Sequence, residues 1–128
     1  MSSTPFPASV IGSMPRSDFV KDLIMGDTEV SPEEYEKRMD AAVRYIVAVQ
    51  EQAGVDVVTD GEWRRKSYIG VIAELAHGFE LSRADDGRPM TVVTDKLSPK
   101  TPGFISKEVT FVQAITSKQI KATLPSPA

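Results

Sequence analysis

The stretch Val55-Asp56-Val57-Val58-Thr59-Asp60-Gly61-Glu62 decides the fold of this chain. Its β-branched residues are nearly continuous, which is typical of a strand buried on both faces of a parallel sheet. Asp60-Gly61 then ends the strand in a turn. Because helical patterns precede and follow this strand, the stretch indicates an alternation of helices with parallel strands.

The segment before this strand carries the clearest helix signal in the chain. Ser31 is a suitable N-cap, Pro32 suits the first helical position, and Glu34 completes a Ser-x-x-Glu capping box. Apolar residues then recur at steps of three and four: Tyr35, Met39, Ala42, Ile46, Val49 and Ala53. Gly54 ends the helix. This stripe predicts a helix that packs one face on the core.

The same rules predict the other elements. In chain order they are strand 8–11, helix 17–25, helix 32–53, strand 55–59, helix 67–76, strands 79–81 and 90–94, helix 105–115 and strand 119–124. The turn Asp85-Asp86-Gly87 indicates that the two middle strands form a hairpin or an insertion. In the last helix, Val109, Val112 and Ile115 are expected to face inward, and His77 is expected at a loop or helix end.

This order predicts an α/β fold, specifically a partial (β/α)8 TIM-type barrel with its first strands and helices only, over residues 1–128. Two details favour a larger parent barrel. The chain stops shortly after an apolar strand without a covering helix, and a few parallel strands would leave unpaired edges. A small complete α/β domain that pairs its edges by oligomerising is the alternative, and the sequence does not determine the oligomeric state.

Composition narrows the function classes. With 41% hydrophobic residues, 26% charged residues and a net charge of −3, the chain has the composition of a globular protein and lacks the basic clusters that bind nucleic acid. No apolar run approaches the roughly 18 residues of a membrane span, and no secretory signal is visible, so we expect a cytoplasmic location. The chain has no cysteine and His77 is its only histidine, so a metal site within it would consist mainly of oxygen ligands.

Polar turns follow the predicted strands, at the end where βα-barrels build their active sites. Gly12 permits close approach of a ligand, and the amides of Gly12 and Ser13 can bind a carboxylate. Glu62 can accept an ammonium group from the other side. Together these residues suit an α-amino acid, although Gly-Ser and Asp-Gly are also common turns without a ligand.

Further pocket candidates surround these turns: Arg16, Asp60, Trp63, Arg64 and Tyr68. Asp60 can instead cap its own turn, and Trp63 can equally be a packing residue. Arg64, Arg65 and Lys66 either attract an anionic substrate tail or begin a solvated helix.

Several ordered motifs resemble the cobalamin-independent methionine synthase family, at the start of its catalytic C-terminal barrel. The motifs are Ile11-Gly12-Ser13-Met14-Pro15-Arg16, Ser31-Pro32-Glu33-Glu34-Tyr35-Glu36, Gln50-Glu51 followed by Gly54-Val55-Asp56-Val57-Val58 and Asp60-Gly61-Glu62, and Ala114-Ile115-Thr116 with Lys118, Ile120-Lys121, Leu124-Pro125 and Pro127. The resemblance runs from about Val10 to Pro127 and is loose only between Ala76 and Lys100.

The resemblance implies a barrel enzyme that transfers a methyl group to the thiol of homocysteine, a small amino-acid substrate. It implies that Ile11, Gly12, Ser13 and Glu62 hold this amino acid. It also implies a zinc ion that activates the thiol, with ligands on later strands and none in this chain. Where the family contacts folate, Asp85-Asp86-Gly87-Arg88 does not match the expected arginine-cysteine pair, which puts a folate methyl donor in doubt.

Without those later strands, we expect this chain to bind substrate but not to catalyse transfer alone. Three alternatives stay open. The parent could alkylate another thiol such as coenzyme M, it could be a metal-free barrel of the porphyrin-decarboxylase kind, or the chain could be a non-catalytic α/β module.

Overall fold

The computed structural model describes residues 5–26, 29–67 and 70–124. Its elements are α1 Asp18–Met25, α2 Pro32–Gln52, β1 Val57–Val58, α3 Val71–Leu75, β2 Ala76–Arg83, β3 Pro89–Pro99, α4 Phe104–Ile115 and β4 Gln119–Ile120. From α1 onward the predicted order of elements is confirmed, and α1, α2 and α4 begin and end within a few residues of the predicted bounds. None of the described helices is long and apolar enough to cross a membrane.

A short parallel sheet positions the turns of interest. β1 pairs in parallel with β4, and Val57 also forms an isolated parallel bridge with Ser9, so β1 lies between the first segment and β4. The three parallel strands are shorter than predicted. Residues 8–11 contribute only the Ser9 bridge. β1 ends at Val58 because the backbone of Thr59 pairs with the side chain of Gln50 rather than with a strand.

The predicted strand 119–124 is likewise reduced to β4, Gln119–Ile120. One further backbone bond continues the pairing, from the Lys121 amide to the carbonyl oxygen of Val58 at 2.9 Å. Beyond it, β1 has turned away into the Asp60-Gly61 turn, so residues 122–124 have no neighbouring strand in β1.

The helix predicted over residues 67–76 is also shorter, since α3 covers only Val71–Leu75 and Ala76 is already extended. Tyr68 lies outside the described residues. The expectation for His77 was wrong: it lies in β2, opposite Ser98, and is exposed. His77 is extended rather than part of a loop or helix end, because β2 pairs with β3 in an antiparallel ladder that already begins at Ala76.

The hairpin of β2 and β3 is confirmed and is longer than predicted. Its register runs from Ala76 opposite Pro99 to Arg83 opposite Pro89, with an irregularity between His77 and Phe79. The intervening Gly78 has a φ of 92°, and an added Cβ would lie 2.7 Å from the carbonyl oxygen of Asp95, so glycine permits this close approach of the two strands.

The core lies on two faces of α2. One face packs Met39, Ala42 and Ile46 against α1 and Trp63. The other packs Val43 and Val47 against β1 and α4, with contributions from Val58, Val112 and Ile115. The predicted stripe therefore faces the core: Met39, Ala42 and Ile46 are buried and Tyr35 and Val49 are partly buried, whereas Ala53 is the exposed C-cap of the helix. α2 thus lies between α1 and Trp63 on one side and β1 and α4 on the other.

At the start of α2, the predicted cap is half of a capping box. The hydroxyl of Ser31 accepts from the Glu34 amide at 3.2 Å, as expected. The Glu34 carboxylate pairs with Arg38 at 2.6 Å, and this hydrogen bond lowers the pKa of Glu34.

Candidate functional site

The turn after β1 is anchored at its base by a buried glutamine. Gln50 of α2 donates to the Thr59 carbonyl oxygen at 2.8 Å and accepts from the Thr59 amide at 3.0 Å, so its side chain replaces a strand neighbour. The Thr59 hydroxyl then accepts from the Gly61 amide at 3.0 Å. These bonds fix the direction in which the chain leaves β1.

The next residue, Glu62, has a strained backbone. Its φ is 58°, in the left-handed region that side chains other than glycine rarely adopt. The Asp60 carboxylate accepts from the Glu62 amide at 2.9 Å and supports this conformation. Such strain concentrates at functional sites, where the surrounding structure holds a residue in an unfavourable geometry.

The Glu62 side chain points to the first loop, which comprises residues 10–17 between the Ser9 bridge and α1. The hydroxyl of Ser13 donates to Oε2 of Glu62 at 2.5 Å. The residue is only 2% exposed, yet its other oxygen, Oε1, has no hydrogen-bond partner among the described residues. A buried carboxylate oxygen without a donor is costly, so this atom is suited to a ligand that brings one.

The first loop is fastened to the turn at several points. The Met14 amide donates to the Gly61 carbonyl oxygen at 3.1 Å, and the Trp63 indole donates to the Met14 carbonyl oxygen at 3.2 Å. Arg16 donates to the carbonyl oxygens of Glu62 at 2.9 Å and Arg65 at 2.5 Å. The two loops therefore form one unit, although 49 residues separate Ser13 from Glu62.

An open cleft of about 640 Å³ lies between this unit and the end of β4. Its lining residues are Ile11, Gly12, Ser13, Glu62, Lys121, Ala122, Thr123 and Leu124. Gly12 has a φ of 74° with nothing within 4 Å of where a Cβ would be. The amides of Gly12 and Ser13 donate no hydrogen bond within the described ranges. The structure thus brings together all four residues predicted to bind substrate.

Comparison with known proteins shows the family to which this chain belongs. The sequence model described as "Cobalamin-independent synthase, Catalytic domain" matches residues 6–125. The chain belongs to the cobalamin-independent methionine synthase family. This confirms the resemblance drawn from the sequence motifs.

Individual relatives agree with this placement. The chain is 31% identical over 132 residues to a methionine synthase of Sulfolobus acidocaldarius, covering 97% of this chain and 39% of the relative. It is 30% identical over 135 residues to the 5-methyltetrahydropteroyltriglutamate–homocysteine methyltransferase of Saccharomyces cerevisiae, covering 95% of this chain and 17% of the relative.

Solved structures confirm the fold class. A putative vitamin-B12-independent methionine synthase from Listeria monocytogenes superposes with a TM-score of 0.70 at 26% identity, over 98% of this chain and 38% of that one. A B12-independent methionine synthase from Shewanella sp. W3-18-1 superposes with a TM-score of 0.73 at 24% identity, over 93% and 37%. The chain is α/β and corresponds to part of a TIM-type barrel, spanning less than two fifths of the length of these four relatives.

Four of the predicted pocket residues, Arg16, Asp60, Trp63 and Arg64, do not line the cleft. Trp63 is 2% exposed and packs in the core beside α1 and α2, stacked on Tyr45 with 6.3 Å between the ring centroids. Arg64 lies on another surface, where it pairs with Asp40 and with Glu36 at 3.4 Å. Asp60 supports the turn and does not line the cleft. Arg16 stabilises the turn by donating to the backbone carbonyl oxygens of Glu62 and Arg65.

Arg65 corrects the expectation of a solvated helix start. It is 2% exposed and forms a two-pronged ion pair with Glu108 of α4, at 2.6 Å and 3.3 Å. It also donates to the carbonyl oxygen of Thr123 at 2.8 Å. No helix begins here, because residues 61–64 form a turn and α3 starts only at Val71. Arg65 can be buried because Glu108 of α4 compensates its charge.

The pKa values of both partners are raised. Burial raises the pKa of Glu108, and the hydrogen bond from Arg65 opposes that effect. Burial disfavours the charged form of Arg65, but the hydrogen bond and the attraction of Glu108 outweigh it and raise the pKa of Arg65. Arg65 thus connects the turn after β1 to α4 through Glu108, and to the segment after β4 through Thr123.

Four cleft residues, Lys121, Ala122, Thr123 and Leu124, were not among the predicted site residues. The signal in the sequence was their place toward the C-terminal end of the predicted strand 119–124, where barrel enzymes collect functional residues. Their position becomes visible only when β4 is placed beside β1.

The described residues do not fit the zinc ion that the family resemblance implies. Among them, no group of three or more histidine, cysteine or acidic side chains is arranged to hold a metal ion. The sequence also lacks cysteine, and its single histidine is exposed in β2. No chemical step at a metal is derived from this chain.

Proposed function

We propose that residues 1–128 form the N-terminal portion of a methionine synthase barrel and bind the amino-acid end of homocysteine, whose thiol accepts a methyl group. The observation that carries this proposal is the Glu62 carboxylate, which is almost fully buried at the cleft, with one oxygen held by Ser13 and the other without a hydrogen-bond partner among the described residues.

In this proposal, the α-ammonium of the substrate donates to Oε1 of Glu62. A charged donor compensates the buried carboxylate more strongly than a neutral one. Ser13 orients Glu62 by holding Oε2, and Asp60 holds its backbone. The site is therefore formed before the ligand arrives, which reduces the entropy lost on binding.

The α-carboxylate of the substrate is placed on the amides of Gly12 and Ser13. The positive φ of Gly12 and the empty space where its Cβ would be let a ligand approach both amides. The side chain of the amino acid then extends into the open cleft. In the reaction, a carbon–sulfur bond forms, the thiol loses its proton and the bond from the methyl group to its donor breaks.

Zinc and the methyl donor belong to the same proposal. Zinc, where the enzyme uses it, would be held outside the described residues of this chain. The Saccharomyces relative is named for a methyltetrahydropteroyltriglutamate donor. In this chain the segment that the sequence analysis compared with the family's folate contacts, Asp85–Arg88, lies exposed at the hairpin tip and lacks the arginine-cysteine pair. Binding of the product L-methionine tests the amino-acid site without requiring zinc, because a thioether needs no activation.

The first prediction concerns Glu62. Titration calorimetry of the full chain should show binding of L-methionine, and Glu62→Gln should weaken it roughly ten- to a hundredfold, because a charge-assisted hydrogen bond is lost. The analogue 4-(methylthio)butanoate lacks the ammonium group, so Glu62→Gln should not weaken its binding.

The matched control is Glu80→Gln, which removes an exposed carboxylate of β2 and should leave both affinities unchanged. Equal affinity of the wild type and Glu62→Gln for L-methionine would show that Glu62 does not bind the ammonium group and would refute the amino-acid site.

A further inference from the structure

Lys121 is a second charged residue of the cleft. It lines the same space as Ser13 and Glu62. Its ammonium group donates to the Ser9 hydroxyl at 2.6 Å and to the Val10 carbonyl oxygen. Both acceptors are neutral, and no carboxylate among the described residues forms an ion pair with it. The cleft therefore contains a cation whose charge is not compensated within the described part of the chain.

The position of this ammonium group is fixed by the backbone on both sides. The Lys121 amide donates to the Val58 carbonyl oxygen at 2.9 Å, which extends the pairing of β4 with β1. Val10, whose carbonyl oxygen accepts from the side chain, directly precedes Ile11 and the Gly12-Ser13 turn. The charge is thus held beside the Gly12-Ser13 turn, whose amides donate to no acceptor in the described part of the chain.

The Lys121 ammonium group also has one N–H donor without an acceptor among the described residues. A lysine ammonium has three N–H donors, and the described residues supply two acceptors for them. An anionic oxygen is the partner that satisfies both the third donor and the uncompensated charge.

We propose that Lys121 binds the anionic group of the substrate, so that the cleft matches the two charges of an amino acid with Lys121 at one end and Glu62 at the other. This rests on the proposed amino-acid site and extends it by naming the residue that selects for an anion. A carboxylate and a sulfonate share this chemistry, and only the amino acid also engages Glu62.

The experiment tests the contributions of the anionic group and the ammonium group of the ligand separately. Titration calorimetry on the full chain uses L-methionine, L-methioninol without the carboxylate, 4-(methylthio)butanoate without the ammonium, and 2-mercaptoethanesulfonate. Lys121→Met should weaken L-methionine and 4-(methylthio)butanoate about tenfold or more and leave L-methioninol unchanged. Unchanged L-methioninol binding also shows that the variant has kept its fold.

Three further variants distinguish charge from a purely structural role. Lys118→Met removes an exposed lysine of the same segment and should change no affinity. Lys121→Arg keeps the charge and should restore most of the binding. Ser9→Ala removes one neutral acceptor but keeps the cation, so L-methionine should bind as to the wild type.

Each outcome decides between the claims. If Glu62→Gln weakens L-methionine but Lys121→Met does not, the Lys121 proposal is wrong and the amino-acid site stands. Equal losses of L-methionine and L-methioninol in Lys121→Met would make Lys121 a structural residue and also overturn the proposal. If only the anions without an ammonium bind, and bind through Lys121, the anion site stands and the amino-acid function fails. If the wild type binds none of the four compounds, both proposals are refuted.

Discussion

At the scale of single residues, side chains replace backbone partners at the turn that holds Glu62. Gln50 takes the place of a strand neighbour for Thr59, and Asp60 supports the unfavourable φ of Glu62. These buried hydrogen bonds hold the Glu62 carboxylate in a fixed position at the cleft.

Gln50→Leu tests this arrangement. The substitution leaves both the amide and the carbonyl oxygen of the buried Thr59 without a partner, which costs about 1–3 kcal/mol for each group, so the free energy of unfolding should fall by about 2–6 kcal/mol. Urea denaturation of the full chain measures the change. Gln52→Leu, at the exposed end of α2, is the control and should change stability by less than about 0.5 kcal/mol. Equal effects of the two substitutions would contradict the role assigned to Gln50.

At the scale of elements, α2 organises the described structure because it is buried on two faces. One face holds α1 and Trp63, and the other holds β1 and α4. The start of such a helix must satisfy its first amide groups, and Ser31 does so for Glu34.

Ser31→Ala should therefore lower the free energy of unfolding by about 1 kcal/mol, through loss of the cap. Ser17→Ala is a matched comparison, because Ser17 is the N-cap residue of α1 but makes no side-chain capping bond. Thermal or urea unfolding should show a clear loss for the first variant and a much smaller one for the second. A loss at Ser17 as large as at Ser31 would mean that the capping bond is not the cause.

At the scale of the whole molecule, the Arg65–Glu108 ion pair connects distant parts of the chain. It joins the turn after β1 to α4, and Arg65 also reaches Thr123 beyond β4. Both side chains are almost fully buried. A pair in such surroundings is costly to break, because the remaining charge stays buried without compensation.

Glu108→Leu should reduce the free energy of unfolding by about 3–5 kcal/mol, whereas the double substitution Arg65→Met with Glu108→Leu should be more stable than that single variant. Urea denaturation of the full chain measures both. Asp86→Ala breaks the exposed Arg88–Asp86 pair and should cost no more than about 1 kcal/mol. A double variant less stable than Glu108→Leu would contradict the explanation by uncompensated charge.

The sequence by itself determined the elements whose evidence is local. The stripe and cap of α2, the hairpin turn and the alternation with valine-rich strands follow from periodicity and turn chemistry, which act over a few residues. The family motifs also placed Ser13 and Glu62 in one site, and the structure joins them by a hydrogen bond.

Only the tertiary structure decided where the strands stop and which charges are buried. Pairing through Gln50 ends β1, Glu108 brings Arg65 inside, and β4 carries Lys121 to Ser9, 112 residues away in the chain. The physical reason is that a local pattern shows which face of a helix or strand is apolar. The partner that compensates a charge or satisfies a backbone group comes from a distant segment, and only the assembled fold supplies it.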